Sequence, residues 1–124
     1  MTMNNKVYQD IFNEFASYLP NDWQKMVVYL EYGDDSYTFS FYVLIDGKFI
    51  KCYDIPGISE ESLIISYNKI DKMIPQIRNK EFGEWSNMTM VVDKEGNMKT
   101  DFDYTDLSEG AYQYKKEWKK KYLE

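Results

Sequence analysis

Four carboxylates fall within nine residues of this chain: Asp101, Asp103, Asp106 and Glu109, with no Lys or Arg among them. Asp101 and Asp103 lie in a run of alternating residues, so they share one strand face, about 6.6 Å apart at ~3.3 Å rise per residue. Acids at that spacing admit three kinds of chemistry. Converging oxygen ligands could hold a divalent cation. A carboxylate pair could do acid–base work on a sugar. An acidic tip could dock on a basic partner and speed its arrival. A plain structural account competes with all three. A solvated strand face would run into a helix start, where Ser108 caps and nearby acids meet the positive end of the dipole. That account covers Asp106 and Glu109 better than Asp101 and Asp103, because like charges on one face repel and Asp is a poor strand former. The Asp-rich cation loop, with Gly at its sharp turn and a closing Glu, is absent. A glycosidase holds the scissile bond between its acids, whereas neighbours two apart on a strand point into one volume.

Other catalytic equipment is missing. The chain has no His, which removes the commonest general base and metal ligand. It has neither a Gly-rich phosphate loop nor a nucleophile elbow. Cys52 is the only cysteine, which excludes a disulfide framework and a thiolate zinc site; its place in a strand pattern marks it as a buried structural thiol. No enzyme, metal or cofactor is expected. Net charge is −6, which argues against non-specific nucleic-acid binding or docking on an anionic membrane. The charge is uneven. Residues 1–62 hold ten acids and four Lys, whereas 63–124 hold eleven of each sign. Glu31, Asp34 and Asp35 therefore join the acidic tip as candidates for meeting a basic partner. There is no basic segment followed by an apolar run, and no apolar stretch of membrane-spanning length, so a cytoplasmic protein is expected.

The elements that position these residues can be read from periodicity. Apolar residues recur at three and four over 4–19, giving a helix ended by Pro20. Strands are expected over 24–32, 37–45 and 48–54, with Gly33 in the first turn and Asp46-Gly47 in the second, a strong hairpin signal. Ile55-Pro56-Gly57 breaks the sheet. Ser59 followed by Glu60 and Glu61 starts a helix with the stripe Leu63, Tyr67, Ile70, Ile74 and Ile77, shortened or bent by Pro75. Trp85 opens a hairpin. Met88, Met90 and Val92 alternate in its first strand, and Met98, Thr100, Phe102 and Tyr104 in its second, around a turn containing Gly96. A last helix spans about Ser108 to Leu123, with Tyr112, Lys115, Trp118 and Tyr122 along one side. The 124 residues are read as one domain of the α+β class. An antiparallel sheet of about five strands, in the order α-β-β-β-α-β-β-α, would carry helices packed on one face. Trp23, Phe39, Phe41, Ile70 and Phe102 should be buried.

The ordered set of motifs resembles a known family. A helix ending in LPNDW, aromatic strands, a DIPG break, W-S-N-M-T-M, a glycine turn, DFDYTDLSE and a helix ending near W-K-K-K-Y-L together look like the YezG-like immunity proteins. The most specific pieces are Trp85-Ser86-Asn87 and Asp101-Phe102-Asp103-Tyr104 leading to Asp106-Leu107. The resemblance implies an antitoxin of Gram-positive bacteria that binds a nuclease toxin of the type VII secretion system in the producer's cytoplasm. It carries no residue-level interface, and on the charge of the chain no direct nucleic-acid or membrane partner is expected. The toxin-binding candidates come from charge and exposure alone: Asp101, Asp103, Tyr104, Asp106, Glu109, Glu31, Asp34 and Asp35. The alternative is a small acidic cation- or ligand-binding domain without catalysis.

Overall fold

The computed structural model describes residues 5–33, 36–107 and 111–123. The fold is α+β. Its elements are α1 (Asn5–Ala16), β1 (Lys25–Tyr32), β2 (Tyr37–Ile45), β3 (Lys48–Lys51), α2 (Glu60–Met73), β4 (Asn87–Asp93), β5 (Met98–Asp103) and α3 (Tyr112–Tyr122). They form two compact units, a helical one carrying α1 and α2 and a sheet unit carrying all five strands and α3.

In the helical unit, α1 ends three residues before its pattern does. Pro20 has no N–H to offer the Ala16 carbonyl, and the Leu19 N–H takes that carbonyl instead at 3.1 Å. The helix thus closes in a tight turn. α2 starts where expected, the Ser59 hydroxyl accepting from the Ser62 N–H at 3.1 Å. It gives way at Pro75 to a short 3₁₀ turn over Ile74–Gln76. The whole stripe Leu63, Tyr67, Ile70, Ile74 and Ile77 is buried. Phe15 meets Tyr67 edge-on at 6.0 Å, while the Tyr18 hydroxyl donates to the Ser62 carbonyl at 2.8 Å.

The sheet is antiparallel throughout, in the order β3-β2-β1-β4-β5. β3-β2-β1 is a meander, and the β4–β5 hairpin joins it by pairing β4 with β1. Asp46 and Gly47 both adopt positive φ, 51° and 79°, which the two-residue hairpin between β2 and β3 requires. Asp93 organises the other hairpin turn. Its carboxylate accepts from the backbone N–H groups of Glu95 and Asn97 and from the Asn97 side chain. β3 stops at Lys51, three residues early. Cys52–Asp54 form a 3₁₀ turn leading to Pro56 and Gly57, and Cys52 is fully buried at its start.

The two phases of the strands separate cleanly. Phe39, Phe41, Val43, Met26, Val28, Leu30, Met88, Met90 and Val92 share one face and are all buried. The other face carries Val27, Tyr29 and Tyr42, and α3 lies on it through Trp118. Two residues expected in the core are only half-buried. Trp23 lies ahead of β1, and Phe102 lies on the edge strand β5, with no further strand among the described residues beside it. Replacing the fully buried Phe41 by Ala is expected to cost ~3–5 kcal/mol, a large share of the ~5–15 kcal/mol that holds a domain together. Chemical denaturation of the variant measures it; a loss under ~1 kcal/mol would mean the site collapses around the gap.

Candidate functional site

The register of the sheet decides where the acids go. On the face beneath α3, one cross-strand row runs Ser40, Tyr29, Thr89, Asp101, and the next runs Thr38, Glu31, Asn87, Asp103. Asp101 and Asp103 therefore share a face, as their spacing requires, and Glu31 comes to the same end of the sheet as Asp103, two strands away. Tyr104, 60% exposed, and the exposed Asp106 continue the chain beyond β5. Glu109, Asp34 and Asp35 lie outside the described residues.

Asp101 and Asp103 are not on an open strand face. Both are half-buried, and α3 reaches down to each. The Tyr122 hydroxyl donates to Asp101 Oδ2 at 2.8 Å, and the Tyr114 hydroxyl to Asp103 Oδ2 at 3.0 Å. Between them the Trp118 indole N–H donates to Thr89 Oγ1 at 2.8 Å. Thr89 in turn donates to Asn87 Oδ1 at 3.0 Å, and the Asn87 amide donates to the Leu30 carbonyl at 3.2 Å. Tyr114, Trp118 and Tyr122 stand four residues apart, so they occupy one side of α3. This stripe differs from the expected one. Tyr112 is 80% exposed and Tyr114 takes the inward position. Lys115 does lie on the inner side, its ammonium 5.4 Å from the centre of the Tyr29 ring, which itself meets Trp118 edge-on at 4.8 Å.

Electrostatics follow from these contacts. Thr105 holds the Asp103 carboxyl below its usual range, chiefly through its hydroxyl, 2.6 Å from Oδ1; burial opposes this, while the Thr105 N–H and the Tyr114 hydroxyl add to it. Burial, then the bond to Asp101, pushes the Tyr122 phenol up to about 12. Burial likewise raises Tyr114, reinforced by Asp103, and Tyr29, whose hydroxyl donates to Glu31. Lys99, itself exposed, approaches Asp101 Oδ2 at 4.0 Å, a long surface contact of little energetic weight.

Between α3 and β5 the same residues leave a groove of about 190 Å³, walled by Tyr114, Trp118 and Tyr122 on one side and Asp101, Phe102 and Asp103 on the other. Asn87 and Thr89 also line it, with Glu117 and Lys121 contributed by α3. Among the described residues no group of three or more Cys, Asp or Glu side chains is placed to hold a metal ion. The groove residues of α3 and β4 were not among the sequence candidates. Their signal was the spacing 114, 118, 122 in a helix whose five late Lys dominate its composition, and a polar Asn87-x-Thr89 on the phase opposite the methionines.

The sequence profile of the family described as "Immunity protein YezG-like" matches residues 4–124. The chain belongs to this family. Among its relatives, the immunity protein YezG of Bacillus spizizenii (strain ATCC 23059 / NRRL B-14472 / W23) is 29% identical over 110 residues, covering 82% of this chain and 68% of the relative. The immunity protein YezG of Bacillus subtilis (strain 168) is 26% identical over 110 residues, covering 82% of this chain and 73% of its own length. In this YezG-like chain no helix of the described residues is long and apolar enough to cross a membrane.

The phenols give a pH test of the α3 attachment. A phenol whose pKa is raised by folding stabilises the fold fully below its ordinary value of 10.0 and loses that contribution as pH rises through the folded value. Unfolding free energy should therefore drop between pH 10 and about 12, and Tyr122→Phe should make the drop shallower. Denaturant midpoints of both proteins across that range measure it; an equally steep drop in the Phe variant would mean that the fold does not hold this phenol protonated. Asp103 acts at the other end. Its stabilisation is present above the ordinary 3.8 and lost as pH falls through its lowered value, so Asp103→Asn should flatten the acid limb.

Proposed function

We propose that this YezG-like protein is an antitoxin that binds a secreted nuclease toxin in the cytoplasm of the producing bacterium and blocks it without catalysis or cofactor. The toxin class and its type VII export rest on the family resemblance. The acidic end of the sheet unit is the proposed contact. The observation that carries this reading is the convergence of Glu31 and Asp103 on one row of the sheet, with Tyr104 and Asp106 exposed just beyond. Asp101 adjoins them, and Asp34, Asp35 and Glu109 extend the negative charge in the sequence.

A nuclease groove is built to hold phosphates and is therefore basic. Carboxylates presented together can take the place of those phosphates, and complementary fields raise the rate of encounter. Tyr104 adds an aromatic anchor of the kind that dominates interface energetics. The family match supports the antitoxin role, and the overall charge of −6 is consistent with a basic partner rather than with nucleic acid.

The test uses exposed residues, because a charge reversal at Asp101 or Asp103 would also strip α3 of its phenol contacts. Asp106→Lys combined with Tyr104→Ala should slow association with the toxin by about tenfold and weaken protection of cells, while circular dichroism stays unchanged. Association of the wild type should slow as salt rises, since screening shortens to ~10 Å at 0.1 M ionic strength. A folded double variant that associates and protects like wild type would move the contact away from this end of the sheet.

A further inference from the structure

The groove between α3 and β5 combines two features that a docking surface in general does not need. One wall is aromatic, with Tyr114, Trp118 and Tyr122 in succession, and the other presents the carboxylates of Asp101 and Asp103. Glu117 adds a third acid from α3 against one cation, Lys121, whose ammonium lies 5.2 Å from the centre of the Tyr122 ring, so the lining carries a formal −2 and an incoming cation would displace that lysine. A space of about 190 Å³ suits one long side chain rather than an element of secondary structure. Both contacts to Asp101, from Tyr122 and Lys99, fall on Oδ2. A carboxylate accepts in about four directions, so an incoming donor still finds acceptor capacity there.

We infer that this groove receives a single arginine side chain presented by the toxin, its guanidinium bonded to Asp101 and laid along the aromatic wall of α3. The inference deepens the toxin-binding reading and rests on it. Charge complementarity selects a cation. The pairing of rings with carboxylates selects arginine over lysine, because a planar guanidinium both stacks on aromatic faces and forms two parallel bonds to a carboxylate, whereas an ammonium is a compact and strongly hydrated charge. Among the described residues β5 is the edge strand, so the groove lies at the open edge of the sheet.

The probes are N-acetyl-arginine amide and N-acetyl-lysine amide, titrated into the full chain while the Trp118 indole N–H resonance is followed. The arginine probe should shift that resonance saturably and the lysine probe should not. Asp101→Asn combined with Glu117→Gln should abolish the shift; an amide oxygen can still accept from the Tyr122 hydroxyl, so circular dichroism should stay that of a folded protein even where the unfolding midpoint falls. Should the double variant fail to fold, Glu117→Gln alone, on an exposed residue, should weaken the shift. The partner that co-purifies from cells expressing neighbouring genes should leave the double variant about 10- to 100-fold faster than it leaves wild type. Absence of a saturable shift, an equal response to lysine, or an unchanged response in the variants would overturn the arginine assignment. If wild type takes the arginine probe but captures no basic partner, the neutralisation reading fails and the groove stands. If wild type captures a nuclease that dissociates no faster from the variant, the groove assignment fails and the neutralisation reading stands.

Discussion

The sheet unit depends on one polar contact made in an apolar setting, the Trp118 indole N–H on the Thr89 hydroxyl. Trp118 is the one buried residue of α3, and it packs against Tyr29 and Tyr42 on the sheet. An indole offers a large apolar surface, but its N–H must find an acceptor when water is excluded. Thr89 supplies that acceptor, and its own proton passes to Asn87, which is tied to the backbone of β1. The chain of donors fixes the position of α3 along β4, where apolar packing alone would tolerate sliding. Every buried side-chain polar atom among the described residues has a partner, as a network of this kind needs in order to stabilise rather than to strain.

From that anchor the two tyrosines four residues to either side meet Asp101 and Asp103. The pairing is consistent in sign. Each phenol keeps its proton because burial and a neighbouring carboxylate both disfavour a second negative charge, and Asp103 stays ionised because donors surround it. The acids thereby serve the fold and the surface together. They hold α3 in place, and they leave a negative groove at the sheet edge. This explains why the strand tolerates two aspartates on one face despite their repulsion and poor strand propensity.

Membership of the YezG-like family and the placement of the acids bear on different levels of the argument. The family match sets the role as that of an immunity protein and says nothing of which face meets a toxin. The register says which acids stand together. Lys25 and Lys99 lie toward the opposite end of the same face, near Val91, while Lys121 and Asp101 line both that region and the groove, so the lysines of the sheet stand away from Asp103 and Glu31. A field arranged in that way orients an approaching charged partner as well as attracting it.

Much of the architecture was legible in the chain itself. Alternation located the strands, Asp46-Gly47 and Gly96 marked the hairpins, Ser59 announced α2 and Pro75 ended it, because each of these effects acts within a few residues. Asp101 and Asp103 were bound to share a face for the same local reason. Tertiary structure decided the rest. That β4 pairs with β1 rather than extending the meander beyond β3 depends on contacts more than fifty residues apart, as with Asn87 and Leu30. A period of two says which residues lie together and not what covers them, so the cover that α3 places over the two aspartates was invisible. The inward choice of Tyr114 over Tyr112 was hidden likewise, since a lysine-rich helix with scattered aromatic residues has no face of its own until a sheet supplies Tyr29, Thr89 and two carboxylates for it to meet.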